Sequence, residues 1–472
     1  MVTGPARAAP PLPAGSRRVY DVVVLGPGVG GAAAAALLAR RGLRVLLAPV
    51  SAAAADRESE GWLLPAAHPM VPPLRQLSGA SAAIDELGLG QDLVRQAAQT
   101  AGAFQLLGER LRLSLPAEPE RRRLELKREL GDEQALRAET AIDSLERLGR
   151  PWDPFLVTPP PYPARGFFER RRLRKVLPIP PELPDGLLGE ALAAVAPFAA
   201  QAVGDAAPEA TARLGAALLR APLRLWGGAA QLADLLREKA QAAGAETLLE
   251  QPTALVLERK GIVLQLGGSE IRASSIVLAC DGALLARICQ AGGRSERRLA
   301  AEADLPVARK VVLCHFVVRA EGLPLALEEA ALLLGHPGGP LVISSLPARR
   351  AKGEAAGERL LTVGRVVPFG EQDGARLLAD VRAALEPVLP FFDRHIVLQQ
   401  ADVESPLLHP IFAPREDGEP VGLRPQSEAH DRALFASAAV YPGFGLEGQL
   451  IAARACADAA LVLSGRKQVA AV

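Results

Sequence analysis

The stretch YDVVVLGPGVGGAAAAALLARRGLRVLLAPV, residues 20–50, decides the fold of this chain of 472 residues. It opens with Asp21–Leu25, an apolar run rich in β-branched residues, as expected of a buried parallel strand. The helix-forming residues Ala32–Arg41 follow, and Gly42 ends the predicted helix. Val45–Ala48 then predicts a second strand. A strand, a glycine-rich turn, a helix and a second strand together predict a βαβ unit.

The glycines of this stretch are spaced as GxGxxG, a pattern that suits a bound pyrophosphate. Gly26 allows a tight turn, Gly28 lets a phosphate approach the backbone, and Gly31 lets the helix pack close to the strand. Free N–H groups at the helix start would face the phosphate. The alternative is a βαβ unit that keeps its glycines only for packing. The candidate cofactor-binding residues of this turn are Gly26, Pro27, Gly28, Val29, Gly30 and Gly31.

The tip of the second strand departs from the dinucleotide-binding pattern. A carboxylate normally stands there and holds the adenosine ribose, but here the tip is Ala48-Pro49. Ser51 is a candidate for one hydrogen bond to the ribose, although it lacks the two oxygens of a carboxylate. Losing a charge-assisted hydrogen bond costs about 1.5–3 kcal/mol, or about tenfold to a hundredfold in affinity. We therefore expect a dinucleotide to bind weakly, or to have been lost.

Composition and charge narrow the classes of partner. Hydrophobic residues make up 49% of the chain, enough for a large core. Aromatic residues make up only 4%, so surfaces for stacking bases are scarce and nucleic-acid binding is disfavoured. The net charge of +1 creates no overall field that would select an acidic or basic partner.

Cysteine and histidine spacing predicts neither a disulfide framework nor a metal site. The four cysteines are far apart and form no CxxC, which indicates a reducing, cytoplasmic compartment. The six histidines show no ligand spacing. No GxSxG nucleophile motif is present, so no catalytic residue is assigned. Residues 1–19 lack the apolar run of a secretory signal and are interpreted as a disordered leader.

The remainder of the chain alternates between helical and strand patterns. Residues 104–115 predict a strand hairpin, and helices are expected from about residue 187 to residue 223. From residue 225 the pattern gives an amphipathic helix followed by several short strands. Further strands are predicted over 307–370. The chain closes with a strand, the loop VYPGFG and a long helix.

Three separated stretches together resemble one family, the flavin-dependent phytoene desaturases within the wider amine-oxidase-like group. The first is the GxGxxG unit. The second runs from Trp226 to Asp281 and is similar to the family's Gly-Gly turn, helix, strand and hairpin. The third, LFASAAVYPGFGLEGQLIAARACADAAL, starts at Leu434 and resembles the family's C-terminal loop and helix. The three stretches also have the family's order and spacing.

This resemblance implies FAD as the cofactor and adds candidate residues beyond the glycine-rich turn. In such proteins the backbone of Val256 would pack against the adenine, and the start of the last helix would polarise the flavin. The family also has a Gly-Gly-Arg element after the second strand. Here Arg57 stands in that region without paired glycines, and it is kept as a candidate phosphate ligand. The residues that would lie at the flavin are Gly443, Gly445, Leu446 and Glu447.

The implied fold class is α/β, with a Rossmann-like FAD/NAD(P)-binding domain built from three chain segments and a mixed α+β substrate domain. The cofactor domain is expected to comprise residues 20–100, 225–290 and 429–472, the last including the C-terminal helix. The substrate and helical part is expected to comprise residues 101–224 and 291–428. The leader 1–19 precedes both.

The resemblance leaves three functions open. The leading hypothesis is an FAD-dependent oxidoreductase that transfers hydride from a long apolar, carotenoid-like or isoprenoid-like small molecule to flavin. The second is a catalytically degenerate member of the fold, poor in cofactor, that serves as a binding or scaffold protein. The third is a flavin oxidase of amine or porphyrin type. The pattern assigns neither the direction of reaction nor an oligomeric state.

One basic segment suggests a peripheral membrane contact. Residues 165–177 carry six basic side chains beside Phe167 and Phe168. Such a segment would suit a protein that collects an apolar substrate from an anionic membrane. The alternative is an ordinary solvated basic face.

Overall fold

The computed structural model describes residues 17–48, 56–97, 103–149, 152–159, 162–176, 186–201, 208–266, 268–355, 357–403, 410–412 and 422–465. Within these ranges the strands are β1 Arg17–Leu25, β2 Val45–Ala48, β3 Asp56–Ser59, β4 Trp62–Pro65, β5 Met70–Val71, β6 Phe104–Gly108, β7 Leu111–Leu115, β8 Leu223–Arg224, β9 Glu246–Thr247, β10 Pro252–Glu258, β11 Gly261–Leu266, β12 Ser269–Leu278, β13 Val307–Arg319, β14 Ala330–Leu333, β15 Leu341–Pro347, β16 Arg349–Arg350, β17 Glu358–Pro368, β18 Ile396–Asp402, β19 Pro410–Phe412 and β20 Ala433–Phe435. The helices are α1 Val29–Arg40, α2 Ser78–Glu86, α3 Gly90–Gln96, α4 Pro119–Leu130, α5 Asp132–Gly149, α6 Asp153–Val157, α7 Gly166–Val176, α8 Leu187–Ala200, α9 Pro208–Arg220, α10 Gly228–Ala242, α11 Gly282–Cys289, α12 Arg294–Ala303, α13 Gly374–Leu385 and α14 Gly445–Leu463.

The glycine-rich stretch builds the centre of the first sheet. β1 pairs in parallel with β2 on one side and with β12 on the other, and β12 also pairs in parallel with β20. The order is β10-β11-β12-β1-β2-β9, with β20 beside β12. Val22, Val23 and Val24 are fully buried, as the apolar run predicts. The Rossmann-like α/β domain drawn from three chain segments is therefore confirmed.

The helices beside this sheet bring the two ends of the chain together. α1 packs against α10 and against α14, and α14 also contacts β12 and β20. Alanines Ala32–Ala36 on α1 are almost completely buried, which lets the neighbouring helices approach closely. The start of α14 is thereby held next to the start of α1.

The first strand begins earlier than the predicted leader allows. Residues 17–19 belong to β1, where they pair with Glu270–Arg272 of β12. The guanidinium of Arg18 also lies 2.9 Å from the carboxylate of Glu246. These partners come from a distant segment, so the proline- and arginine-rich composition did not reveal them. Residues 1–16 lie outside the described part of the chain.

A second, mostly antiparallel sheet forms the other half of the molecule. Its order is β18-β13-β17-β15-β14-β6-β7, with β19 beside β13. The predicted hairpin of β6 and β7 is confirmed, and it joins this sheet through parallel pairing of β6 with β14. Helices α4, α5, α8 and α9 pack near β7 and α14. The mixed α+β unit is present, while the domain boundaries stay predictions.

The helices include no candidate for crossing a bilayer. Within the described ranges, none is both long enough and apolar enough to do so.

Candidate functional site

A cavity of about 1140 Å³ lies between the first sheet and the second. The first sheet contributes the ends of β12 and β20, the turn before α1 and the start of α14, while the second contributes Lys310 and Phe412. Ligands of open α/β sheets bind at the carboxyl ends of the strands, which is where this cavity lies. The predicted cofactor-binding residues that line it are Pro27, Gly28, Val29 and Leu446.

Three of the predicted glycines, one in the turn before α1 and two in its first turn, are required by packing. At Gly26, where φ is +135°, and at Gly30, a Cβ would overlap the carbonyl oxygens of Ala279 and Ala436 respectively. At Gly31 a Cβ would lie 2.8 Å from the Cβ of Ala279. Close contact between α1 and the neighbouring strand ends therefore accounts for these positions without any ligand.

Gly28 differs from its neighbours because it borders free space. It stands immediately before α1 and its backbone is extended. Among the described residues, the one atom within 4 Å of a Cβ there would be the Oε1 of Gln449, at 4.0 Å. Packing against the described residues therefore does not explain this glycine. Its place before α1 agrees with the prediction that a ligand approaches the backbone at the helix start, and that role stays a prediction.

Gln449 of α14 reaches into the same place and was not singled out by sequence reasoning. Its Oε1 accepts a hydrogen bond of 3.3 Å from the N–H of Gly30, and its Nε2 donates to the Oε1 of Gln201 at 3.3 Å. Both glutamine side chains are buried and line the cavity. The first N–H groups of a helix are those that bind phosphate oxygens, and here one of them is bound to an amide. The signal available in the sequence was the spacing of three between Leu446 and Gln449, which places both on one helical face.

The turn before α14, which contains Gly443 and Gly445, packs mainly against other parts of the protein and contributes neither glycine to the cavity wall. Gly445 has φ of +50°, and a Cβ there would overlap the carbonyl oxygen of Ala199 at the end of α8. Gly443 has φ of +92°. Packing against α8 therefore accounts for a glycine at position 445, and its predicted place beside a flavin stays a prediction.

Aromatic rings cover the other side of this turn. The ring centroids of Phe444 and Trp152 are 5.1 Å apart, and those of Phe444 and Tyr162 are 5.6 Å apart. Tyr441 stacks on Tyr162 and is itself buried, which raises the pKa of its hydroxyl. The turn is therefore an anchor for α14 as well as a border of the cavity.

Glu447, a predicted flavin-side residue, turns its carboxylate away from the cavity. The side chain is fully buried and lies 2.5 Å from the guanidinium of Arg213, which in turn lies 3.0 Å from Asp153. The N–H of Gly79 donates to Glu447 at 3.0 Å. Burial raises the pKa of the Glu447 carboxyl, and the Arg213 charge opposes that rise. The ion pair fixes α14 to α9, and the hydrogen bond from Gly79 fixes it to α2.

The remaining predicted site residues lie away from the described cavity wall. Val256 is on β10, pairs with Val263 of β11 and has 43% of its surface exposed. Arg57 is on β3, and its guanidinium lies 3.9 Å from Asp402. Ser51 and Pro49 fall outside the described residues. The structure does not bring Val256 or Arg57 together with the glycine-rich turn.

The polar groups on the cavity wall offer little acid–base chemistry. Burial raises the pKa of the Cys280 thiol to about 12, so it stays protonated near neutral pH. The ammonium of Lys310 donates to the carbonyl of Val403 at 2.7 Å, and Asp281 caps α11 through the N–H of Leu284. Among the described residues, no group of three or more His, Cys, Asp or Glu could hold a metal ion. The geometry assigns no catalytic residue.

Comparison with known proteins defines the fold. No family model and no curated protein matches the chain. Among solved structures, a putrescine oxidase bound to putrescine is similar with a TM-score of 0.57 and 15% identity, over 94% of this chain and 99% of that one. Cyclohexylamine oxidase from Brevibacterium oxydans gives 0.53 and 17%, over 94% and 99%. An oxidoreductase from Methanosarcina mazei gives 0.58 and 13%, over 92% and 99%. The chain thus shares its overall fold with these solved structures.

Proposed function

We propose that this protein is an FAD-dependent oxidoreductase that acts on an apolar small molecule. The observation that supports this most directly is Gly28, a helix-start glycine with free space where its side chain would be, at the edge of a cavity of about 1140 Å³. The amine-oxidase-like fold adds support, since the solved structures that share it include oxidases.

In this proposal the residues of the chain position FAD and keep water out. Bound FAD would supply the hydride acceptor. Gly28 and the start of α1 would hold the pyrophosphate, and Leu446 at the start of α14 would border the flavin. The helix dipole of α14 would stabilise negative charge on that flavin.

The apolar substrate is inferred from the cavity wall. Alanine, leucine, valine and phenylalanine supply much of it, including Ala229, Leu305, Phe369 and Phe412. Such a wall would favour an isoprenoid-like or carotenoid-like molecule, because burial of apolar surface would supply the binding energy. The phytoene-desaturase resemblance of the sequence agrees with this substrate class.

Gly28→Val tests the cofactor site without disturbing the fold. Its new side chain would meet no described residue closely, although valine is a poorer N-cap than glycine. We therefore expect a small fall in melting temperature and a loss of FAD binding. The measurement is flavin absorbance after desalting, together with the rise in melting temperature on adding FAD. Gly90→Val is the matched control, because Gly90 also begins a helix and its nearest neighbours are Arg75 atoms at 3.6 Å. Retention of full FAD affinity by Gly28→Val would contradict the proposal.

A cofactor-poor scaffold is the second candidate, and the hydrogen bond from Gly30 to Gln449 favours it. This hydrogen bond occupies an N–H group that would otherwise donate to a phosphate oxygen. The chain would then satisfy its own helix start without FAD.

Gln449→Ala separates these two functions. If FAD competes with the Gln449 amide, the alanine variant should bind FAD about tenfold more tightly, since one hydrogen bond to a charged group becomes available. Gln449→Glu should bind FAD less tightly than the natural protein, because it places a carboxylate near the phosphates. If FAD raises the melting temperature of neither the natural protein nor Gln449→Ala, the scaffold function is supported and the oxidoreductase is overturned.

We also propose that α7 touches an anionic membrane surface. Phe167 and Phe168 are 70% and 83% exposed, and Arg171, Arg172 and Lys175 are exposed beside them. Ion pairs of 2.6 Å from Arg165 to Glu428 and from Glu169 to Arg424 fix the helix to the residues before β20. A fixed helix that displays two phenylalanines and several cations suits an interface of lipid headgroups.

Charge reversal at Arg171 and Arg172 is the test of this contact. Each basic residue near an anionic surface contributes about 1 kcal/mol, so the double glutamate variant should lose at least about thirtyfold in affinity. Co-sedimentation with phosphatidylserine-containing vesicles measures the loss. Reversal of Arg297 and Arg298, an exposed pair on α12, is the matched control. Equal losses in both variants would indicate an ordinary solvated face.

A further inference from the structure

A second, smaller cavity lies among the helices, apart from the site described above. Its volume is about 230 Å³. Much of its wall is apolar, with Leu115, Ile142, Leu188 and Leu219 among its residues. The charged residues of the wall are three arginines and one aspartate: Arg122, Arg213, Arg220 and Asp153. Cations therefore outnumber carboxylates on a wall that is otherwise largely hydrocarbon.

Two of these arginines already have described partners. Arg213 forms the ion pairs with Glu447 and Asp153. Arg220 donates from Nη2 to the Oε1 of Gln76 at 3.1 Å. The cavity's own carboxylate, Asp153, is thus engaged by Arg213.

Arg122 on α4 is buried, unlike the arginines on either side of it. Only 8% of its surface is exposed, although Arg121 and Arg123 beside it are well exposed. Within the described residues its side chain makes one long contact, of 3.5 Å from Nη1 to the carbonyl oxygen of Ala117, and its Nε has no partner. A guanidinium buried without a carboxylate is unfavourable, because it has lost its water and gained no counter-charge.

We propose that this cavity binds a small organic carboxylate with a compact apolar body, and that Arg122 receives its carboxylate. Arginine suits this task because its planar N–H groups match the two oxygens of a carboxylate. The leucine and isoleucine wall would accept the hydrocarbon part, and a cavity of about 230 Å³ suits a small one. An inorganic anion would leave the apolar wall uncovered, and a neutral alcohol would leave the arginine unpaired.

Titration calorimetry with three probes tests this site. Octanoate should bind the natural protein, whereas 1-octanol and inorganic phosphate should each bind at least about tenfold more weakly, since each lacks one of the two recognised features. Arg122→Gln should weaken octanoate binding at least about tenfold, the effect of losing one hydrogen bond to a charged group. Arg121→Gln, which removes an exposed charge from the same helix, should bind octanoate as the natural protein does.

Several outcomes would overturn the proposal. These are no octanoate binding, equal binding of octanoate and 1-octanol, equal binding of octanoate and phosphate, or unchanged affinity in Arg122→Gln. Without ligand, Arg122→Gln should melt no lower than Arg121→Gln. A clearly lower melting temperature would mean that another part of the chain already pairs with Arg122. FAD binding by Arg122→Gln is expected to be unchanged, so failure here is distinguishable from failure of the proposed oxidoreductase.

Discussion

Replacing Gly445 with alanine is expected to lower the free energy of unfolding by about 2–5 kcal/mol. The left-handed backbone conformation costs a residue with a side chain about 1–2 kcal/mol, and forcing a methyl group into packed structure costs about 1–3 kcal/mol. The new methyl would overlap the carbonyl oxygen of Ala199, so α8 and the start of α14 would have to separate. Chemical denaturation with and without FAD should give the same loss.

Gly88→Ala isolates the two contributions. Gly88 also has a positive φ, +63°, but among the described residues no atom beyond its chain neighbours lies within 4 Å of the Cβ position. Its alanine variant should therefore lose only the conformational part, about 1–2 kcal/mol. If Gly445→Ala is no less stable than Gly88→Ala, the contact between the C-terminal turn and α8 is not as close as described. A loss of stability confined to the FAD-bound protein would instead place a ligand at Gly445.

Arg213→Met should have an effect of similar or greater size, about 3–5 kcal/mol of destabilisation. Removing one member of a buried ion pair leaves the other charge without a partner, and Glu447 has no exposed surface at all. Replacing Arg213 and Glu447 together by methionine should restore much of the loss, since no unpaired charge then remains between them. Arg137→Met is the control, because the pair of Arg137 with Glu133 is exposed and worth about 0.3–0.5 kcal/mol.

The deficit of Arg213→Met should depend on pH. Burial raises the pKa of Glu447, and removal of Arg213 removes the charge that opposes this rise. A carboxyl whose folded pKa exceeds its unfolded value of about 4.3 destabilises the protein above the folded pKa, and that penalty fades as the pH falls toward the unfolded value. The difference in unfolding free energy from the natural protein should thus be smaller at about pH 5 than at about pH 8. A constant difference would indicate that Glu447 is not the charge left unpaired.

The sequence predicted the parts of this fold that depend on local pattern. The apolar run of β1, the glycine-rich turn and the alanine-rich α1 each have a periodicity or composition that their own residues determine. The hairpin of β6 and β7 could be predicted for the same reason. Its parallel pairing with β14 could not, because the partner lies in another segment.

The candidate site was harder to predict because contacts between distant segments determine it. A motif cannot show that Gly30 serves packing while Gly28 borders free space, since that difference depends on Ala436. The side chain of Gln449 accepts a hydrogen bond from the N–H of Gly30, although the two residues are 419 positions apart in the sequence. Similarly, Glu447 was assigned to the flavin by its place in the C-terminal turn, but its partner Arg213 is 234 residues away.

The first sheet is assembled from strands that lie far apart in the sequence, and this has a consequence for synthesis on the ribosome. β1 ends at Leu25, whereas β20 and α14, which complete its surroundings, begin at Ala433 and Gly445. About 400 residues separate these elements, so at a translation rate of roughly 5–20 residues per second the earliest strands wait about 20–80 s for their last partners. During that interval the surface of α1 that α14 later covers remains open to other chains. Folding of this domain is therefore completed only when the C-terminal segment has left the ribosome, and a chain that stops short of α14 is expected to aggregate.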